Sequence, residues 1–320
     1  MRSSGRRRFG LGLGSGGCLA YHEGLATQQI LVLPPVPDNL HITEPSFILL
    51  PEAEIIALQG PDAVAFSQAQ FANDVASLAA GHWQWNAWLT PKGRVIAIFL
   101  LARPSEQDIR LVLPDGGAHA MAEQLRRFVF RRKTSIEPRE DLAVSGRLSP
   151  APADGDRLGI EQDRLSFDLG TPGAARTLCV QPRSALVQAD DDFAKEWRRL
   201  DLRMGLPRLD ASQREQWTPQ QIGLDRLNAY SVKKGCYPGQ EIVARTHFLG
   251  KAKRSTRLLE TAVDAQPGDE VRRDDQAIGS VASVADGLAL AVLPLEGAED
   301  GLTVRGEAAR VAPFLDGLAR

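Results

Sequence analysis

The sequence predicts an α+β protein that ends in a small β-barrel. Three observations carry this expectation. Between residues 46 and 250, strand-like alternation and helix-like periodicity take turns along the chain. "HWQWNAWLT" and "VIAIFLLA" flank the turn residues Pro91-Lys92-Gly93-Arg94, the mark of a hairpin. From about residue 251 the pattern changes to five short strands broken by Gly and Asp turns: "RSTRLLETAV", "GDEVRR", "AIGSVASVA", "LALAVL" and "LTVRGEAARV". The expected units are residues 1–45 as an extension, 46–140 and 141–250 as two α+β domains, and 251–320 as the barrel.

In chain order, Glu54–Leu58 is a short apolar strand. Gly60-Pro61-Asp62 breaks it and opens a helix that Asp62 is placed to cap, with Ala63, Phe66 and Ala69 facing the core. "HWQWNAWLT" alternates from Trp83 through Trp85, Ala87 and Leu89, the period of a half-buried strand. Ile109–Leu113 is a further strand, Gly117–Phe128 a helix, and Thr134–Ile136 a strand entry. Leu165–Leu169 and Thr177–Gln181 read as strands. In "DDFAKEWRRLDLRMGLP", Phe193, Trp197, Leu200 and Met204 share one helical face, which Gly205 and Pro207 terminate.

Composition excludes several classes. Hydrophobic content of 43% and charged content of 24% fit a globular protein rather than a disordered one. A formal net charge of -2 argues against a generally basic nucleic-acid binder and against direct nucleic-acid binding. Cys18, Cys179 and Cys236 are far apart and without metal-ligand spacing, so neither a disulfide framework nor a metal site is expected. No apolar run is long enough to span a membrane. The first two dozen residues carry Arg2, Arg6, Arg7 and Arg8 and no acid before Glu23. They read as a disordered extension, with an organelle transit peptide as the alternative.

Chemistry-bearing residues concentrate in "VKKGCYPGQEIVARTHF" (Val232–Phe248). Pro238-Gly239 favours a tight turn, and Gly239–Phe248 reads as a short helix with Glu241 in its first turn. Cys236 stands before that helix beside Lys233 and Lys234, a setting that favours thiolate. A reactive thiol and a small buried hydrophobe are both open for Cys236. Glu241 is the only acid between Arg226 and Arg257, a window that also holds Lys233, Lys234, Arg245, Lys251, Lys253 and Arg254. One carboxylate among eight cations fits an anionic ligand with one donor-rich end. The same residues also fit a helix N-terminal acid and a solvated basic face. Gln68, Gln70, Asn73 and Asp74 are a polar group in an apolar run, suited to lining a pocket or capping a turn. Arg126, Arg127, Arg131, Arg132 and Lys133 form a basic cluster suited to carboxylate, phosphate or RNA, or to protecting a strand edge.

"KKGCYPGQEIVAR" closely resembles the signature of the folate-binding YgfZ family, a branch of the glycine-cleavage T-protein (aminomethyltransferase) superfamily. That signature, Lys-Gly-Cys-(Tyr/Phe)-x-Gly-Gln-Glu, is complete at Lys234, Gly235, Cys236, Tyr237, Gly239, Gln240 and Glu241. "LQGPDAVAFSQAQFANDV", "TPKGRVIA", "LRRFVFRRKTSI", "RMGLPRL", "GDEV" and "AIGSVAS" extend the resemblance over residues 50–310. Ser67 and Ala72 depart from it, standing where Leu and Thr are usual.

The resemblance implies an aminomethyltransferase-like folate-binding fold, with ferredoxin-like α+β domains and a barrel around a central opening. It implies tetrahydrofolate as ligand and a role in iron–sulfur cluster assembly or repair. The implied partners are iron–sulfur enzymes such as radical tRNA methylthiotransferases. Glu241, with Gln240, would meet the pterin N–H donors, while Arg245 and Arg131 would hold the glutamyl tail. Asp74, Asn73 and Gln70 would line the pterin site, and Cys236 with Lys234 are the candidates for chemistry. T-proteins lack a cysteine in this loop, so Cys236 tips the choice away from aminomethyl transfer. A one-carbon transferase and a direct RNA-binding module are the alternatives. The implied compartment is the bacterial cytoplasm, or the mitochondrial matrix if the first 24 residues are a transit peptide.

Overall fold

The computed structural model describes residues 46–185, 188–250, 252–297 and 299–320. The readings of residues 1–45, Cys18 among them, and of Lys251 lie outside the described residues.

The described part opens with two strands, β1 (Ile48–Leu49) and β2 (Glu54–Gln59), and helix α1 (Ala63–Gln70). The hairpin follows as β3 (His82–Leu89) and β4 (Val95–Ser105), then β5 (Asp108–Leu113), α2 (Ala118–Arg126) and β6 (Ser135–Pro138). These strands form an antiparallel sheet in the order β3-β4-β5-β2-β6. Next come β7 (Leu142–Arg147), β8 (Gly159–Glu161), β9 (Arg164–Asp168) and β10 (Thr177–Pro182). They make a second sheet, β1-β7-β10-β9-β8, so β1 leaves its sequence neighbours and pairs with β7.

Helices α1 and α2 cover one face of the first sheet, with Phe66, Met121 and Leu125 against Leu58, Phe99 and Leu111. The other face carries Trp83, Trp85, Leu100 and Val112 into a core shared with Val144, Phe167 and Leu178 of the second sheet. The half-buried strand expected at Trp83–Leu89 is therefore buried on both faces, and even Gln84 and Asn86 are enclosed. Alternation reports polarity, and here the polar side is covered by protein rather than water.

Helix α3 (Asp191–Arg203) forms as its periodicity predicts. Asp190 caps it by accepting from the Asp192 and Phe193 amides, both at 3.0 Å, and Gly205 leaves it at φ +75°. Its Trp197 ring presses on Gly146 of β7, where a Cβ would stand 2.6 Å from the ring. Asp201 lies between two buried guanidiniums, Arg176 at 2.6 Å and Arg208 at 2.9 Å. Asp115 and Asp201 raise the Arg208 pKa against the opposing effect of burial.

Helix α4 (Gln240–Phe248) precedes the barrel. The barrel comprises β11 (Arg254–Thr261), β12 (Glu270–Arg273), β13 (Gln276–Ala285), β14 (Leu288–Pro294), β15 (Leu302–Val304) and β16 (Glu307–Ala312). It closes in the order β11-β14-β13-β12-β15-β16, with β16 returning to β11. Six strands replace the five expected, because "LTVRGEAARV" turns at Arg305 (φ +53°) and Gly306 (φ +84°). Two further readings are corrected. Asp62 caps no amide of α1; its Oδ2 instead accepts from the Lys133 backbone N–H at 2.6 Å. Ala69 is only partly buried, and Ser67 takes the inward position beside Phe66.

Candidate functional site

The segment after α1 runs along the outer edge of β3. Phe71 bridges Trp88, and the Ala72 amide donates to Ala87 O at 2.8 Å. Asn73 then spends its whole side chain on the fold. Its Nδ2 donates to Trp85 O at 2.9 Å and Asn228 O at 2.6 Å, and its Oδ1 accepts from the Asp74 amide at 2.9 Å. Gln68 shapes the next turn by accepting from the Val75 and Ala76 amides at 2.7 and 3.0 Å and donating to Asp74 Oδ1 at 3.0 Å.

The signature segment docks on this edge. The Ser231 amide donates to Ala72 O at 2.9 Å. Lys234, 6% exposed, directs its ammonium at three carbonyls at the end of α1: Gln68 O (2.6 Å), Phe71 O (2.5 Å) and Asn73 O (2.8 Å). Three N–H donors meet three acceptors, so no donor remains for a substrate. The Tyr237 ring covers the same ammonium at 5.0 Å, and its hydroxyl donates to Ser231 O. Burial pulls the Lys234 pKa down to about 8, while Asp74 opposes the shift. Gln240 Nε2 closes the loop by donating to Lys234 O at 3.1 Å.

Gly239 begins α4 at φ +82° against the β3–β4 turn. A Cβ there would stand 2.6 Å from Thr90 O and 2.7 Å from the Gly93 Cα. The close approach and the left-handed backbone both require glycine. Gly93 faces Ile242 in the same contact, so the two glycines lock α4 onto the hairpin.

Two signature residues are left unspent by this architecture. Cys236 and Glu241 are both exposed, and Arg245 is exposed one turn beyond Glu241. Cys179 is the contrast: burial pushes its thiol up to about 11. Across the contact, Asp74 is half-buried with one oxygen engaged, and the Gln70 Oε1 is enclosed with no hydrogen-bond partner. The predicted residues Lys234, Gln240, Glu241, Asn73, Asp74, Gln70 and Cys236 thus belong to one region around the end of α1. Arg131 does not. It is exposed beside Lys133, which bonds Asp62 at the other end of α1, about 12 Å of helix away. Sequence reasoning missed Asn86, whose Oδ1 accepts from the Asn73 and Ala87 amides at 2.9 Å each. An asparagine among tryptophans in a strand was the available signal.

A separate apolar cleft of about 280 Å3 lies between the β1–β2 turn, β4, β5 and α3. Leu50, Trp85, Leu100 and Trp197 wall it, with Glu52 and Arg208 among its polar lining. None of the predicted site residues lines it. Among the described residues, no helix is long and apolar enough to cross a membrane.

Comparison with known proteins gives concordant results. A family described as "CAF17, C-terminal beta-barrel domain" matches residues 252–315, the closed barrel. The tRNA-modifying protein YgfZ of Colwellia psychrerythraea is 26% identical over 249 residues, 72% of this chain and 76% of that protein. The tRNA-modifying protein YgfZ of Sodalis glossinidius is 26% identical over 260 residues, 75% of this chain and 78% of that protein. These relatives and the barrel match support the resemblance of the chain to the YgfZ family. An uncharacterized protein of Haemophilus influenzae is 28% identical over 234 residues, 72% of this chain and 80% of that one. The crystal structure of glycine cleavage system aminomethyltransferase T from Bartonella henselae matches with a TM-score of 0.65 at 17% identity. The match covers 84% of this chain and 85% of that one, and shows that this chain has the aminomethyltransferase-like fold.

Proposed function

We propose that this chain binds a reduced folate and serves iron–sulfur cluster assembly or repair in enzymes that modify tRNA. The observation that carries the reading is the division of the signature. Lys234, Tyr237, Gly239 and Gln240 are consumed in holding the loop, whereas Cys236 and Glu241 face outward with their chemistry unspent. Residues kept at a surface without a structural task are candidates for binding and chemistry.

The available groups fit a folate. A pterin offers N–H donors, and Glu241, Asp74 and the unpartnered Gln70 Oε1 are acceptors. A glutamyl tail offers carboxylates, and the exposed Arg245 is the cation beside Glu241. Arg131 is left out of this assignment because α1 separates it from the signature. Lys234 and Asn73 act as positioning residues, and Cys236 supplies the nucleophilic or iron-contacting thiol. The relatives named tRNA-modifying protein YgfZ support the tRNA side of the reading, and being bacterial they support a cytoplasmic site of action.

One observation favours a second placement for the same ligand. The apolar cleft carries two tryptophans, Trp85 and Trp197, in its lining. Ala194→Trp, on the cleft lining, would block folate there and leave a signature-bound folate untouched.

The proposal is tested in cells deleted for their YgfZ family member by measuring methylthiolated tRNA nucleosides with mass spectrometry. Wild type is expected to restore them, and Cys236→Ala, an exposed substitution, to restore little. Folded and expressed wild type that restores nothing would refute the role. Ammonia release from an aminomethylated carrier would favour a one-carbon transferase instead.

A further inference from the structure

We infer that the loop Arg126–Lys133 is a docking surface for single-stranded RNA, separate from the folate region. The loop presents two aromatic rings to solvent: Phe130 is 86% exposed and Phe128 43%. Phe130 holds φ +48°, a left-handed conformation that a bulky residue rarely adopts. The loop is nevertheless well anchored. The Phe128 and Val129 amides bond Leu125 O and Arg126 O, the Arg132 amide bonds Val129 O, and Lys133 and Asp62 exchange two bonds. Val129 packs into the α1–α2 core while its two phenylalanine neighbours stay outside. A surface that fixes its rings outward at a backbone cost is built for contact.

The charge around the rings decides the partner. Arg126 and Arg127 meet Glu137 and Glu123, both at 3.3 Å in exposed pairs that contribute little. Among the described residues, the side chains of Arg131, Arg132 and Lys133 meet no carboxylate. A cationic loop with protruding aromatic rings complements a phosphate chain bearing unstacked bases. Four of its five cations are arginines, whose planar forks bind phosphate bidentately and stack on bases. Protection of β6, the edge strand that follows the loop, would explain the cations but not the exposed phenylalanines. The formal net charge of -2 describes the whole chain and does not govern this loop. The choice of RNA as the polyanion rests in part on the tRNA reading above; the surface itself does not.

The test is fluorescence anisotropy with the full chain, a labelled oligouridylate and a labelled tRNA transcript, at about 50 and about 200 mM salt. Wild type is expected to bind both, more tightly at low salt. Phe130→Ala should weaken binding about 5- to 150-fold with the salt slope unchanged. Arg131→Gln/Arg132→Gln should flatten the slope by about 1.4. All of these positions are exposed, so the variants should fold. Absence of RNA binding by wild type at low salt overturns the inference, as does full affinity in Phe130→Ala. Phe130-dependent binding to phosphatidylserine vesicles without RNA binding also overturns it and assigns the loop to membranes. Tetrahydrofolate affinity, measured on the same variants, is expected to be unchanged. Folate binding without RNA binding would sink this inference alone, and RNA binding without folate binding would sink only the earlier reading.

Discussion

Lys234→Met removes the ammonium that joins the signature to α1 while keeping most of the apolar stem against Tyr237. Three carbonyl oxygens, Gln68 O, Phe71 O and Asn73 O, lose their donor at 2.6, 2.5 and 2.8 Å. Leaving a buried acceptor unpartnered costs about 1–3 kcal/mol. Removing a buried charge works the other way. The depression of the lysine from 10.5 to about 8 corresponds to about 3 kcal/mol of unfavourable burial. The balance is a loss of roughly 2–4 kcal/mol, since the three bonds share one group and do not add fully. Urea unfolding followed by tryptophan fluorescence would measure it. Amide exchange should quicken at Ala72–Val75 before it does so in the barrel. A loss below about 0.5 kcal/mol, the range of an ordinary surface change, would refute the view that Lys234 is a structural clamp.

Three further outcomes follow from the same geometry. The Lys234 pKa is lowered on folding, so the unfolded chain holds more protons between about pH 8 and 10.5 and stability rises with pH there. Wild type should therefore gain about 1.3 kcal/mol on Lys234→Met between about pH 7 and 9. Paired urea titrations would show this, and a fall over that range would mean that the three carbonyls hold the proton more strongly than burial expels it. Gly239→Ala combines a left-handed backbone with a Cβ 2.6 Å from Thr90 O, and should lower stability by at least about 2 kcal/mol in thermal unfolding. Asp201→Asn leaves Arg176 and Arg208 buried without their shared carboxylate and should cost about 3–5 kcal/mol in guanidinium titrations.

Local patterns were legible where local physics decides. The apolar face of α3 and the exit at Gly205 lie within one short stretch, and both formed as read. The β3–β4 hairpin was legible for the same reason. Long-range contacts were not. Asp62 looks like a cap from its neighbours, but the amide it satisfies belongs to Lys133. Lys234 looks like a cation beside a thiol, but its acceptors lie more than 150 residues earlier in the chain. Gln84 and Asn86 look solvent-facing, and only the packing over β3 encloses them. In the barrel, Arg305-Gly306 lacks the Asn-Gly signal that would have split one apparent strand into two. The signature was legible as a string, but its division into inward and outward residues required the fold.

The central claim is that the outward residues of the signature bind a reduced folate. Isothermal titration of tetrahydrofolate under anaerobic conditions, with wild type, Glu241→Ala and Ala194→Trp, tests it most directly. Saturable one-site binding by wild type is expected, weakened about 10- to 150-fold in Glu241→Ala through loss of charge-assisted hydrogen bonds and unchanged in Ala194→Trp. Wild type that does not bind, or Glu241→Ala that binds as tightly as wild type, would contradict the account.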